Sequence, residues 1–199
     1  MSEQDIQEFT RLVEIIFRLH GPGGCPWDKA QTHTSLKEFL LQESYEVLEA
    51  LDEEDNQKLC QELGDLLLQI MLHSQIAAQN REFTLADVLT NINTKLVRRH
   101  PHVFGDTQVQ NPEEVSHNWE VIKKAERQEG ASILDSVPRR MPALAYSKEV
   151  QRRVAQIGFD WENIEGVIDK LEEEVRELKK SESQKEKEDE FGDIFFTRI

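Results

Sequence analysis

SLKEFLLQESYEVLEAL (residues 35–51) and NQKLCQELGDLLLQIML (residues 56–72) are the two segments that decide the fold of this protein. In both segments apolar residues recur every three or four positions, which predicts two amphipathic helices joined by a short acidic turn. We expect the apolar stripe of each helix to face the protein interior. The stripe of the first helix consists of Leu36, Phe39, Leu40, Val47, Ala50 and Leu51.

Four acidic residues follow these stripes in two steps of three residues: Glu43 and Glu46 on the first helix, Glu62 and Asp65 on the second. Glu43 projects near the centre of its stripe, where an ionised carboxylate is costly unless something pairs with it. Because two neighbouring helices both offer acids, a shared metal ion is the favoured interpretation. A merely solvated acidic face remains the alternative, above all for Glu46 or Asp65 taken alone.

Composition limits the class of protein. The chain has 199 residues, with 24 basic and 39 acidic side chains and a net charge of -15, which argues against general nucleic-acid or membrane-surface binding. The two cysteines, Cys25 and Cys60, have no metal-ligand spacing. No signal-peptide core and no apolar run of membrane-spanning length occurs. We therefore expect a soluble, cytoplasmic protein with reduced thiols.

Helices are predicted on both sides of the acidic pair. An amphipathic helix over residues 3–20 ends in a Gly/Pro-rich loop that is followed by Trp27. A tryptophan in this position is more often a core residue than a platform for stacking a base. Thr34 or Ser35 is expected to cap the first acidic helix.

A basic cluster closes the third predicted helix, which begins with a Thr84–Asp87 capping box and runs through Arg99. Its positive charge either complements the helix dipole or binds phosphate, and composition favours neither. A further helix begins at Pro112. The cluster consists of Lys95, Arg98, Arg99 and His100, and the helix after it carries Trp119 and Lys123.

The acidic pattern occurs a second time. Glu174 and Glu177 repeat the first step, and Glu190 and Asp193 repeat the second, again with a glycine before the aspartate. We therefore predict two tandem helical modules: residues 1–129, a linker over 130–142, and residues 143–199. The second module is expected to be incomplete at its C-terminus, because the chain ends six residues after Asp193.

Three features together resemble the MazG family of nucleoside triphosphate pyrophosphohydrolases: CPWDKAQTHTSL (residues 25–36), the four acids, and KLVRRHPHVFG (residues 95–105). The family motif is EExxE followed by ExxD. This chain departs from it at Gln42, which replaces the first glutamate, whereas the second module keeps Glu173 and Glu174.

The resemblance implies an all-α helical bundle that acts as a homodimer and uses Mg²⁺, or Mn²⁺, to hydrolyse nucleoside triphosphates to monophosphate and pyrophosphate, including non-standard nucleotides. The incomplete second module could impair this activity. The alternative is a catalytically weak scaffold or regulator that binds nucleotide or a protein partner. The residues implied are the catalytic and metal-binding Glu43, Glu46, Glu62 and Asp65, the further metal ligands Glu174, Glu177, Glu190 and Asp193, and the substrate-binding Lys95, Arg98, Arg99, Trp119 and Lys123.

Overall fold

The computed structural model describes residues 2–126, 130 and 132–197, and these residues contain helices and no strand. The all-α prediction is confirmed for this part of the chain. No described helix is both long and apolar enough to cross a membrane. The helices are α1 (Glu3–His20), α2 (Pro26–Lys29), α3 (Lys37–Asp52), α4 (Asn56–Asn80), α5 (Leu85–Arg99), α6 (Pro101–Phe104), α7 (Pro112–Ala125), α8 (Ala143–Ala155), α9 (Ile164–Lys180) and α10 (Gln184–Thr197).

The chain divides into two compact units, residues 1–122 and residues 123–199. The point of division lies within α7. The tandem-module organisation, with its limits at residues 129 and 143, stays a prediction. Of the predicted linker, residue 130 and residues 132–142 are described, and they contain turns and irregular backbone rather than helix.

The central element of the first unit is α4, because α1, α3 and α5 all pack against it. Its length of 25 residues allows its first half to face α3 while its second half contributes to the core. Burial of the apolar core side chains holds the acidic helices in place. The free energy gained is roughly 25 cal/mol per Å² of apolar surface removed from water. The core side chains are Ile16, Leu36, Met71, Leu72 and Ile76.

Two capping predictions have different outcomes. The Thr84 hydroxyl accepts a hydrogen bond from the backbone N–H of Asp87, and the Asp87 carboxylate accepts one from the backbone N–H of Thr84. This predicted capping box is confirmed. The predicted cap of α3 by Thr34 or Ser35 is wrong, because the Ser35 hydroxyl instead donates to the side chain of Gln31, and α3 has no side-chain cap.

Several side chains that we expected to be buried are exposed. In α3 only Leu36, at the N-cap, and Ala50 are fully buried, whereas Phe39, Leu40 and Leu51 are exposed. The apolar stripe of α3 is wider than the strip of surface that α4 covers, so its margins stay open. Trp27 is 52% exposed. Its interpretation as a core residue is therefore wrong.

In the second unit, α9 packs against α10 and α8 packs against α10. The Arg153 guanidinium ties α8 to the preceding segment, since it donates to the backbone carbonyl of Ile133 and to the Ser136 hydroxyl. The same guanidinium pairs with Glu149 on α8. The antiparallel α9–α10 arrangement brings the second set of acids together.

Candidate functional site

The first acid cluster lies between α3 and α4. Glu43 projects from α3, and Glu62 and Asp65 project from one face of α4, since residues three apart lie on the same side of a helix. One carboxylate oxygen from each residue lies within 4.8 Å of the other two. Glu62 is only 7% exposed. The packing of α3 on α4 therefore brings three carboxyl groups together, and one of them is largely shielded from water.

Glu46 lies beside this triad, although it is not one of the three mutually close residues. Burial raises the pKa of Glu43 above its ordinary value, and the charges of Glu46 and Asp65 raise it further. Burial likewise raises the pKa of Glu62, followed by the charges of Glu46 and Asp65. The Gln42 side-chain amide donates a hydrogen bond of 2.9 Å to Glu46 Oε1. All four predicted acids thus interact electrostatically.

The second acid cluster has the same arrangement on α9 and α10. One oxygen each from Glu174, Glu177 and Glu190 lies within 4.8 Å of the others, and Glu174 is buried. Asp193 is outside this group of three but acts on it, as its charge helps to raise the pKa of Glu190, after burial and the charges of Glu177 and Glu174. Glu190 Oε2 is buried and has no hydrogen-bond partner among the described residues.

A lysine distinguishes the second cluster from the first. Lys170 Nζ lies 2.7 Å from Glu174 Oε1 and 3.0 Å from an oxygen of Glu173. These two hydrogen bonds raise the pKa of Lys170 above its ordinary value. We did not anticipate this contact, although the four-residue spacing of Lys170 and Glu174 on a predicted helix is a signal that could have revealed it.

Both clusters fit a hard divalent cation. Mg²⁺ prefers oxygen ligands and is bound through one or a few carboxylates. Three carboxylates within 4.8 Å of one another provide such ligands at each cluster, and the unpartnered Oε2 of Glu190 is an oxygen that a cation would satisfy. A bound cation would also relieve the repulsion that raises the pKa values of Glu43 and Glu62.

The basic residues of α5 point in two directions. Lys95 and Arg98 line a groove of about 370 Å³ along α5, together with Asp87. The Arg99 guanidinium instead lies 5.3 Å from the centre of the Trp119 ring, which is a cation–π distance. The predicted phosphate-binding residues therefore share one helix but not one groove.

Trp119 connects α7 to the end of α5. The His100 ring meets the Trp119 ring edge-on, with centroids 4.9 Å apart, and His100 Nδ1 lies 2.7 Å from the backbone carbonyl of Leu96. Lys123 is half-buried one helical turn after Trp119 on α7. The roles of these residues in substrate binding remain predictions.

Comparison with known proteins identifies the family. Residues 31–104, which include the first acid cluster and the basic end of α5, match the MazG nucleotide pyrophosphohydrolase domain. The chain is 44% identical, over 96% of its length and 74% of the relative, to the nucleoside triphosphate pyrophosphohydrolase/pyrophosphatase MazG of Thermotoga maritima.

Two further relatives are also named nucleoside triphosphate pyrophosphohydrolase. The nucleoside triphosphate pyrophosphohydrolase of Escherichia coli K12 is 41% identical, over 98% of this chain and 77% of the relative. That of Mycobacterium tuberculosis is 36% identical, over 80% of this chain and 49% of the relative. Because similarity at this level extends over almost the whole chain and most of the first relative, the chain belongs to the MazG nucleotide pyrophosphohydrolase family, as its sequence motifs predict.

Proposed function

We propose that this protein hydrolyses nucleoside triphosphates to a nucleoside monophosphate and pyrophosphate with the help of Mg²⁺ or Mn²⁺. The observation that carries the proposal is the first acid cluster, in which Glu43, Glu62 and Asp65 converge from two helices. The names of the relatives support the reaction class. Clearance of non-standard nucleotides from the cytoplasm is the role in the cell that we propose.

The cation would be held by Glu43, Glu62 and Asp65, with Glu46 beside them. When bound, a divalent ion neutralises phosphate charge and lowers the pKa of water that it coordinates. The carboxylates therefore have two tasks: to bind the ion and, for an oxygen not engaged in binding, to accept the proton of the attacking water. Gln42 orients the Glu46 carboxylate for these tasks through its hydrogen bond to Oε1.

The basic residues complete the proposed substrate site. A triphosphate is a polyanion, and an acidic protein needs local positive charge to retain it. Lys95 and Arg98 supply that charge in the α5 groove. Arg99 and Trp119, which contact each other, would bind the substrate at the end of α5. Lys123 stays a proposed substrate-binding residue on the basis of the family resemblance.

We further propose that the active form is a homodimer. Apolar side chains remain exposed on the margins of α3 and on α5, and exposed apolar surface is typical of protein interfaces. Association of two copies would cover these faces and close the acid cluster from water. The exposed side chains are Leu40 and Leu51 of α3 and Leu89, Ile92 and Leu96 of α5.

The first unit is the one to which we assign catalysis. In the second unit the Lys170 ammonium already pairs with Glu174, so its acid cluster carries a cation of its own. This contact favours the alternative role, a helical scaffold or regulator, for the second unit. It gives no support to that role for the first unit.

The test measures pyrophosphate and nucleoside monophosphate after incubation of the purified protein with each nucleoside triphosphate and Mg²⁺. We expect equal amounts of the two products, loss of both in Glu43→Gln, and little change in the register-matched control Glu174→Gln. Release of orthophosphate instead, or equal activity in the wild type and both variants, would contradict the proposal.

A further inference from the structure

Two aromatic rings lie on the surface of the first unit where α2 meets the start of α3. The rings of Trp27 and Phe39 contact each other edge to face, with centroids 5.9 Å apart. Trp27 is 52% exposed and Phe39 is 38% exposed. Large rings that are paired but not buried present an apolar surface to a flat ligand or a partner.

The position of Phe39 places this pair next to the acid cluster. Phe39 precedes Glu43 by four residues on α3, so the two side chains lie on the same face one turn apart. The corresponding position in the second acidic repeat is Lys170, four residues before Glu174. There the side chain reaches the acid directly, with Nζ 2.7 Å from Glu174 Oε1. A group held at this position is therefore adjacent to whatever the acids bind.

The two units carry chemically different side chains at this position. Four residues before the first acid of its cluster, the second unit has Lys170, which pairs with Glu174. The first unit has Phe39 at that position, and its ring contacts Trp27. Trp119, the aromatic residue that the family resemblance implicates in substrate binding, is half-buried and already contacts the Arg99 guanidinium and the His100 ring. Trp27 and Phe39 are both exposed and are therefore more accessible than Trp119.

We propose that Trp27 and Phe39 form the platform on which the nucleobase of the substrate stacks. This inference rests on the proposed function. Cleavage between the α- and β-phosphates requires the acids to lie close to the α-phosphate, and only the ribose separates that phosphate from the base. Stacking on an aromatic ring accepts every base, because each base has a π-face. The platform therefore contributes affinity for nucleosides in general and little discrimination among bases.

The experiment compares two ligands of the same protein by calorimetric titration in Mg²⁺. One is a nucleoside triphosphate analogue with a methylene group between the α- and β-phosphorus atoms, and the other is inorganic tripolyphosphate. The variants are Trp27→Ala and Phe39→Leu, of which the second keeps apolar volume and removes the ring. Trp27→Phe tests rescue, and Phe17→Ala, which removes a ring 66% exposed on α1, is the matched control.

We expect Trp27→Ala and Phe39→Leu to weaken binding of the analogue about tenfold while tripolyphosphate binding changes less than twofold. Trp27→Phe should restore most of the affinity, and Phe17→Ala should bind both ligands like the wild type. Unchanged analogue binding, equal weakening of both ligands, or a shift from dimer to monomer in Trp27→Ala would each overturn the platform. If the wild type binds neither ligand, the proposed function fails and the platform fails with it.

Discussion

The two acid clusters share one geometry but differ in the charge around them. In each, three carboxylates lie within 4.8 Å of one another, and one glutamate is buried. In the first unit Glu62 is that buried residue, and in the second it is Glu174, whose charge is met by Lys170 at 2.7 Å. Two clusters with the same spacing of acids in the sequence therefore differ in the positive charge that already surrounds them.

This difference follows from a single position on the helix. Phe39 and Lys170 occupy the same place relative to the acids, four residues before Glu43 and Glu174. A lysine there forms an intramolecular ion pair that a metal ion must displace, whereas a phenylalanine cannot form such a pair with Glu43. The first cluster should bind metal more tightly, and exchange of these side chains should reverse the order.

The largest expected effect is on catalysis. Glu62→Gln removes the charge of a buried oxygen donor from the first cluster, and we expect hydrolysis of nucleoside triphosphate to fall by roughly 100-fold or more, since loss even of outer groups at metal sites costs 10- to 100-fold. Glu190→Gln is the equivalent change in the second cluster and should cost less than twofold. Initial rates of pyrophosphate release measure both. Comparable losses in the two variants would contradict the assignment of catalysis to the first unit.

A smaller effect is expected when the cation of the second cluster is removed. Lys170→Met leaves Glu174 buried without its partner, so the variant should unfold at a lower temperature than the wild type in the absence of metal. Mg²⁺ should restore stability, and the affinity of the second cluster for Mn²⁺, followed by electron paramagnetic resonance, should increase about tenfold. A variant whose melting temperature and Mn²⁺ affinity match the wild type would show that Lys170 does not compete with metal.

The reciprocal change brings the lysine into the first unit. Phe39→Lys places an ammonium one turn from Glu43, where it can form the ion pair seen at Lys170. We expect Mg²⁺ affinity of the first cluster to fall several-fold and the Mg²⁺ concentration that gives half-maximal activity to rise by the same factor. Phe39→Met, which is uncharged, controls for loss of the ring. An equal rise in both variants would assign the effect to the aromatic ring rather than to charge.

The positions of the helices and the clustering of the acids were predictable, because both depend on the spacing of residues close together in the sequence. Apolar periodicity located α3 and α4, and the three-residue step placed Glu62 and Asp65 on one face. The Thr84–Asp87 capping box was predictable for the same reason, since its hydrogen bonds join residues three apart.

Features that depend on distant parts of the chain were not predictable. The pattern of α3 does not reveal how much of its stripe α4 covers, so the exposure of Phe39 and Trp27 was unexpected. The hydrogen bond of 2.8 Å between His33 Nδ1 and His73 Nδ1 joins residues 40 positions apart and has no local signal. Such contacts follow from the packing of helices, which sequence periodicity alone leaves open.

The smallest expected effect concerns the stability of the second unit in acid. Hydrogen bonds from Arg152 and Arg153 lower the pKa of Glu149 from 4.5 to about 2. A folded-state pKa below the unfolded value means that the stabilisation is complete above pH 4.5 and is lost as the pH falls toward 2. Glu149→Gln should therefore lower the melting temperature by a few degrees at pH 7, consistent with an ion pair worth roughly 1 kcal/mol, and by much less at pH 3.

The control is Glu172→Gln, which changes an exposed acid on α9 and should alter the melting temperature little at either pH. Melting curves followed by circular dichroism test this, and a destabilisation equal at both pH values would mean that packing, rather than the charge of Glu149, supports α8.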